Sequence, residues 1–369
     1  MIRSRDSLSA LTKTVHGGQA WKLDGIEDFS HNLNPFGPPE GLAEMAAAAL
    51  EGVGHYPDDS CADLRDAVAR SLSVGAENVV AGAGSSEIIR NFPNALLERG
   101  DRALICAPSF AEYAQQCRIA GVGVVPDRLL EEEDFRMSRE RVSEALRSGV
   151  RAVYVCNPNN PTGRIEPRSK ILDMARECAD MGALMFLDET LLDLVPGHEG
   201  ISCAGHAKRL PNLLVARSLT KSFAIPGIRV GFGIGSEELI GEMDKVRMSW
   251  NLGCVEQAVA AELVRRRAGH VDAAARAMAE ESKAMRSALS DIGFPVGPAS
   301  DSFFYFTPTR ELGVRCAELQ RLMLEGGVMI RDCASFGEPF EWFARFSVKD
   351  RRRNALFVEA AAAAIRGLR

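Results

Sequence analysis

One lysine stands out by its neighbours. In the string RSLTKSFAIPGIRVG, Lys221 lies three residues after Ser218 and eight before Arg229. A lysine amine is a nucleophile that condenses with carbonyl groups. Hydroxyls of a Ser/Thr turn and an arginine fork are suited to a phosphate. Other strings offer matching chemistry. GAGSSE (residues 82–87) follows a β-like run and opens a helix, so the backbone N–H groups of Ser85 and Ser86 would face an anion at the positive end of that helix. LDE (187–189) ends a strand on Asp188, and NPNNPTG (157–163) supplies Asn160, 28 residues before it. PSFAEY (108–113) offers an aromatic face at Phe110, and HYPD (55–58) a tyrosine, Tyr56. Anion-binding groups recur at both ends: His16 in HGG, Asn32 and Asn34 in DFSHNLNPFGPP, Arg331 in IRDCA and Arg345 in FARFS.

These residues need a frame. Short β-rich runs at 78–81, 103–106, 122–125, 152–156, 184–187, 213–216 and 230–234 alternate with helical stretches such as 61–72, 87–97, 168–181 and 237–246. The alternation predicts an α/β fold with a mostly parallel central sheet covered by helices. Runs such as VYVC and LMFLD are apolar at nearly every position, as for strands buried on both faces. After about residue 252 the pattern changes. An alanine-rich, charged stretch at 255–289 predicts one or two long helices. Short runs at 303–306, 328–331 and 343–348 then alternate with helices at 316–325 and 352–365. The expected division is an N-terminal segment, 1–39, packing on the small domain and the active site, a large domain, 40–252, and a small α+β domain, 253–369.

Composition narrows the function. With 369 residues, 46% hydrophobic and 25% charged, the chain reads as globular. A net charge of -6 argues against a nucleic-acid partner, although local arginines can still hold a small anion. Nine cysteines without a CxxC pair read as reduced thiols, hence a cytoplasmic setting. The N-terminus has no signal-peptide core, and no run reaches the roughly 18 apolar residues of a membrane span.

Together the strings resemble the pyridoxal-phosphate (PLP) enzymes of the aspartate-aminotransferase fold type, over nearly the whole chain. The resemblance implies that Lys221 anchors PLP covalently and Asp188 pairs with the pyridine nitrogen, which lets the ring act as an electron sink. It also implies that Asn160 binds the ring hydroxyl oxygen, that Phe110 stacks on the ring, and that Ser85, Ser86, Ser218 and Arg229 hold the cofactor phosphate. Tyr56 would reach the partner's cofactor phosphate, making the active unit a homodimer. HGG, the N-x-NP-x-G stretch and R-x-CA bring the chain nearest to threonine-phosphate decarboxylases of cobalamin biosynthesis, with histidinol-phosphate aminotransferases as the nearest cousins. Arg345 then takes the amino-acid carboxylate, and Arg331, with His16, Asn32 and Asn34, the substrate phosphate. Two positions depart from the aminotransferase pattern: Leu191 stands where a tyrosine is usual, and Ala83 where asparagine is commoner. The leucine removes a hydroxyl from the ring and favours the decarboxylase.

The bond to Cα that stands perpendicular to the cofactor ring is the one that breaks. Holding the carboxylate there gives decarboxylation of L-threonine O-3-phosphate, or a close phosphorylated or phosphonate amino acid. Holding the proton there gives transamination, with Lys221 as base and an oxo acid as second substrate. A catalytically inactive ligand-binding relative is a third reading, and the presence of Lys221, Asp188 and Arg229 argues against it.

Overall fold

The computed structural model describes all residues except 1–4, 6, 7, 9, 10, 13, 15, 16, 19, 267, 299 and 369. A two-residue strand, β1 (Glu27–Asp28), comes first. Seven strands follow that form the large sheet: β2 (Val79–Gly82), β3 (Arg102–Ala107), β4 (Gly123–Arg128), β5 (Ala152–Cys156), β6 (Leu184–Asp188), β7 (Leu213–Ser218) and β8 (Gly231–Ile234). Their spatial order is β2-β8-β7-β6-β5-β3-β4. β8 runs antiparallel to the other strands of the sheet. It does so because the chain returns from β7 through the short Lys221 turn, without the helical crossover a parallel strand needs.

Side chains alternate between two buried faces. Val153 and Val155 of β5 join one apolar cluster, while Ala152, Tyr154 and Cys156 join another. Met185 and Leu187 of β6 pair with the first cluster, and Phe186 with the second. Each such side chain contributes about 1.5–3 kcal/mol on burial. Helices cover both faces, as the alternation predicts, and several begin on a cap. The Ser138 hydroxyl accepts from the Arg141 amide at 3.3 Å, and the Ser236 hydroxyl from the Leu239 amide at 3.3 Å.

The remaining strands are β9 (Phe304–Pro308), β10 (Val328–Met329), β11 (Arg331–Asp332) and β12 (Phe343–Ser347). β11, β12 and β9 form an antiparallel sheet, and β10 pairs in parallel with β1. The single run expected at 328–331 is thus divided at Ile330 between two sheets. Its own apolar cluster, with Phe29, Phe346 and Phe357, supports this part. In the Cys254–Arg266 helix, Val259, Ala260, Ala261 and Leu263 pack into the large-sheet core.

Candidate active site

Lys221 lies in the one-turn helix Leu219–Ser222, directly after β7. Ser218 caps that helix. Its hydroxyl accepts from the Thr220 amide at 3.3 Å and donates to the Val230 carbonyl at 3.1 Å. The hydroxyl therefore braces the β7–β8 connection. Burial, with Arg229 and then Arg345 nearby, lowers the Lys221 amine to about 8. A substantial fraction is then the neutral nucleophile near neutral pH.

Asp188 ends β6 and is buried. Its Oδ1 accepts from the Thr190 amide at 2.8 Å, and its Oδ2 from the Tyr113 hydroxyl at 2.8 Å. Burial raises its pKa while these hydrogen bonds pull it back. Tyr113 was not among the residues singled out by the sequence. The signal was present, because PSFAEY carries two aromatics one helical turn apart. Phe110 stands edge-on to Tyr113, with ring centroids 5.7 Å apart.

The NPNNPTG turn is tied to the Phe110 loop by Asn159, whose Nδ2 donates to the Pro108 carbonyl at 3.1 Å and to Thr162 Oγ1 at 2.9 Å. Asn160, the next residue, accepts from Arg345 Nη1. Opposite, Gly84 precedes the Ser85–Leu96 helix at φ 78°, a left-handed conformation suited to glycine. A Cβ there would lie 2.6 Å from Arg229 Nη2, so the arginine reaches over the helix start where Ser85 and Ser86 sit. Gly231 is equally constrained, since a Cβ would lie 2.4 Å from the Ser85 amide nitrogen.

The small-domain side brings two arginines together. In the β11–β12 register, Arg331 is directly opposite Arg345. Arg331 Nη2 donates to the Ser335 hydroxyl at 2.8 Å. Arg345 is buried; its Nη2 donates to the Ser30 carbonyl, and its Nε is buried without a partner. Burial lowers its pKa to about 10. Asn32 is buried as well, with an unpartnered Oδ1.

Two expected substrate residues stand differently. Asn34 spends its side chain on the fold: Nδ2 donates to the Ser222 carbonyl at 2.9 Å, and Oδ1 accepts from the Phe36 amide at 3.0 Å. Its own amide donates to the Lys221 carbonyl at 3.0 Å, so it positions the lysine turn instead of offering a polar atom to a ligand. His16 lies outside the described residues. Tyr56 is 74% exposed and stacks on Trp250 at 4.6 Å. Val53 and Met248, close in sequence to this pair, are exposed as well. Among the described residues no His/Cys/Asp/Glu cluster suits a metal ion, and no helix is long and apolar enough to cross a membrane.

A nucleophilic lysine just past one strand, a buried acid at the end of the neighbouring strand and an arginine over a helix start fit a carbonyl-cofactor enzyme on an aminotransferase-like α/β fold. The chain belongs to the aminotransferase class I and II family, whose model matches residues 24–360. It is 29% identical over 342 residues to histidinol-phosphate aminotransferase of Moorella thermoacetica, covering 91% of this chain and 85% of that one. It is 28% identical over 361 residues to threonine-phosphate decarboxylase of Salmonella typhimurium, covering 95% and 96%. Among solved structures, histidinol-phosphate aminotransferase from Clostridium acetobutylicum superposes with a TM-score of 0.84 at 26% identity, over 93% of this chain and 100% of that one. A PLP complex of the Sinorhizobium meliloti enzyme of that name has a TM-score of 0.88 at 20% identity, over 100% and 99%, which shows the shared fold.

The family is PLP-dependent, and the residues present fit the cofactor. A buried amine, a buried carboxylate with two donors fixing it, and a glycine-cleared helix start under an arginine match its aldehyde, ring nitrogen and phosphate in turn.

Proposed function

We propose that this protein decarboxylates L-threonine O-3-phosphate to (R)-1-amino-2-propanol O-2-phosphate and CO2. The observation that carries the reading is Arg331 directly across from Arg345. Like charges opposite one another on a sheet repel. They suit a substrate with two separate anions, a carboxylate and a phosphate. Histidinol phosphate has only the phosphate; 2-oxoglutarate, a transaminase's second substrate, brings two carboxylates, so the reading rests also on the buried Leu191, which puts no hydroxyl where aminotransferases usually carry a tyrosine.

Bound PLP supplies the electron sink for the bond broken at Cα. Arg345, beside Asn160, would take the carboxylate in a two-pronged grip. Arg331, with Asn32, would take the phosphate. Asp188 would hold a proton on the ring nitrogen, its two hydrogen bonds fixing the carboxylate's aim. The Lys221 amine, with its lowered pKa, would deliver the proton that replaces CO2 on Cα. Leu191 is buried and offers no hydroxyl to the ring. Tyr56, with its exposed apolar surroundings, would serve the second site of a homodimer.

The experiment is a single incubation of purified protein, PLP and threonine phosphate without any oxo acid, with CO2 release measured. Stoichiometric CO2 is expected. No CO2, together with 2-oxoglutarate-dependent amino transfer from histidinol phosphate, would overturn the reading in favour of a transaminase.

A further inference from the structure

His31 lies in the middle of the segment that separates the two arginines from the lysine turn, and no role follows for it from the residues discussed so far. The preceding carbonyl, of Ser30, is held by Arg345. The following residue is Asn32, with its buried, unpartnered Oδ1. A Cβ on Gly18 would lie 3.7 Å from His31 Cβ, and one on Gly17 3.5 Å from Arg331 Cδ. The Gly17–Gly18 turn therefore covers His31 and Arg331 together. The His31 side chain is 25% exposed, yet its Nδ1 is buried with no hydrogen-bond partner. Its Nε2 is 4.0 Å from Asp28 Oδ2, too far for a good hydrogen bond. Asp28 Oδ1 is already engaged by the Ser30 amide at 2.8 Å and the Ser30 hydroxyl at 2.6 Å.

The charges facing this imidazole are mostly positive. Lys349, from the chain beyond β12, and Lys221, from the lysine turn, both act on it, against Asp28 on its own segment. Lys349 is 5% exposed, its Nζ 5.3 Å from the Phe29 ring centroid; Arg353 adds to its positive surroundings, and Glu27, Asp28 and Asp350 oppose them. Arg331 and Arg345 flank the same backbone. An uncharged imidazole is the stable form in such a place until an anion arrives.

We propose that His31 is a proton-gated ligand for the substrate's phosphate: neutral in the empty site, it takes a proton from solvent as the dianion docks and then donates a charged hydrogen bond to it. The inference rests on the phosphate-substrate reading above and adds a specificity residue to it. With no cofactor bound, burial first, then Lys349 and Lys221, lower the imidazole to about 4, with Asp28 opposing; once Lys221 carries PLP, burial and Lys349 still hold it down. A phosphate dianion reverses the sign of the local field and raises that pKa, so binding and proton uptake are linked. A lone carboxylate brings half the charge and sits with Arg345, so it draws the proton less.

The test uses the PLP-loaded enzyme and 3-phosphoglycerate, which carries both anions but a hydroxyl in place of the amine. Glycerate is the control without phosphate. Calorimetry in two buffers of different ionisation heat, at about pH 7.5 where a phosphate ester is already a dianion, counts protons taken up. Wild type is expected to take up roughly one proton per site with 3-phosphoglycerate and far less with glycerate. His31→Gln should abolish that uptake and weaken 3-phosphoglycerate roughly tenfold, the loss of one charged hydrogen bond, with glycerate binding unchanged. The visible band of the bound cofactor reports protonation at Lys221 separately. His31→Asn is the second variant, and both should unfold at the wild-type temperature. Undiminished proton uptake in both variants overturns the proposal for His31 and leaves the substrate reading intact. If wild type binds 3-phosphoglycerate no better than glycerate, the phosphate reading fails, and this inference with it.

Discussion

On the large-sheet side of the candidate site, hydrogen bonds within the fold brace the expected cofactor residues, although Asn159 Oδ1, Thr190 Oγ1 and Ser222 Oγ are buried there without partners. Asp188 receives two hydrogen bonds, Ser218 accepts one and donates another, and Asn159 ties two loops together. At the small-domain end, Arg345 Nε, Asn32 Oδ1 and His31 Nδ1 are buried without partners, and two arginines face one another. An unmade hydrogen bond of this kind costs about 1–3 kcal/mol. In the first region both oxygens of Asp188 are fixed by the fold. The second stores unmet polar demand that a dianionic substrate would satisfy. Changes in the first should therefore act on turnover, and changes in the second on which molecule is bound.

The sharpest way to break that contrast is Lys221→Ala. CO2 release should fall at least about a thousandfold, with the fold retained. Borohydride reduction of wild type should label Lys221, and a labelled peptide elsewhere would refute its role. Asp188→Asn should keep PLP bound yet lower kcat about a hundredfold. Tyr113→Phe, which removes one of the two donors, should cost about tenfold, since a hydrogen bond to a charge is worth roughly 1.5–3 kcal/mol. An effect of either variant on KM alone would place the damage in binding. On the other side, Arg331→Ala should erase a roughly hundredfold preference for threonine phosphate over threonine. Arg345→Ala should weaken both substrates alike. Competition binding with the two amino acids separates these outcomes.

The smallest effect is one of pH. His31 has its folded pKa depressed to about 4 from an ordinary 6.5. Between those values the unfolded chain binds more protons, so stability rises with pH across that window. His31→Gln removes this penalty and should flatten the rise of unfolding temperature from about pH 4 to 6.5. An identical slope in the variant would mean that the imidazole is not held neutral.

Legibility in the sequence followed distance along the chain. The lysine turn, the GAGSSE helix start and the NPNNPTG turn are each local, so a handful of adjacent residues carries the geometry, and the strands around them announce themselves by apolar runs. Long-range pairings left no such trace. The Tyr113 hydroxyl reaches Asp188 across 75 residues, and the facing of Arg331 with Arg345 depends on strand register. Asn34 looked like a ligand by its type, but hydrogen bonds to Ser222 and Phe36 claim it. His31 showed nothing in the string DFSHNL, since its environment comes from Lys221 and Lys349.

The hydrogen bonds that hold residues 29–34 in place also set a schedule. Asn34 waits for Ser222, 188 residues on; Ser30 waits for Arg345, 315 residues on; and Phe29 waits for Ser347, 318 residues on. At about 5–20 residues per second, a chain in synthesis keeps the last of these contacts unmade for roughly 15–60 s after Phe29 is added. Until then the segment can dock only through Asn34 on the lysine turn, while the large sheet, complete by Ile234, is free to form. The two ends of the chain are thus joined around Arg345 after the lysine turn is already in place.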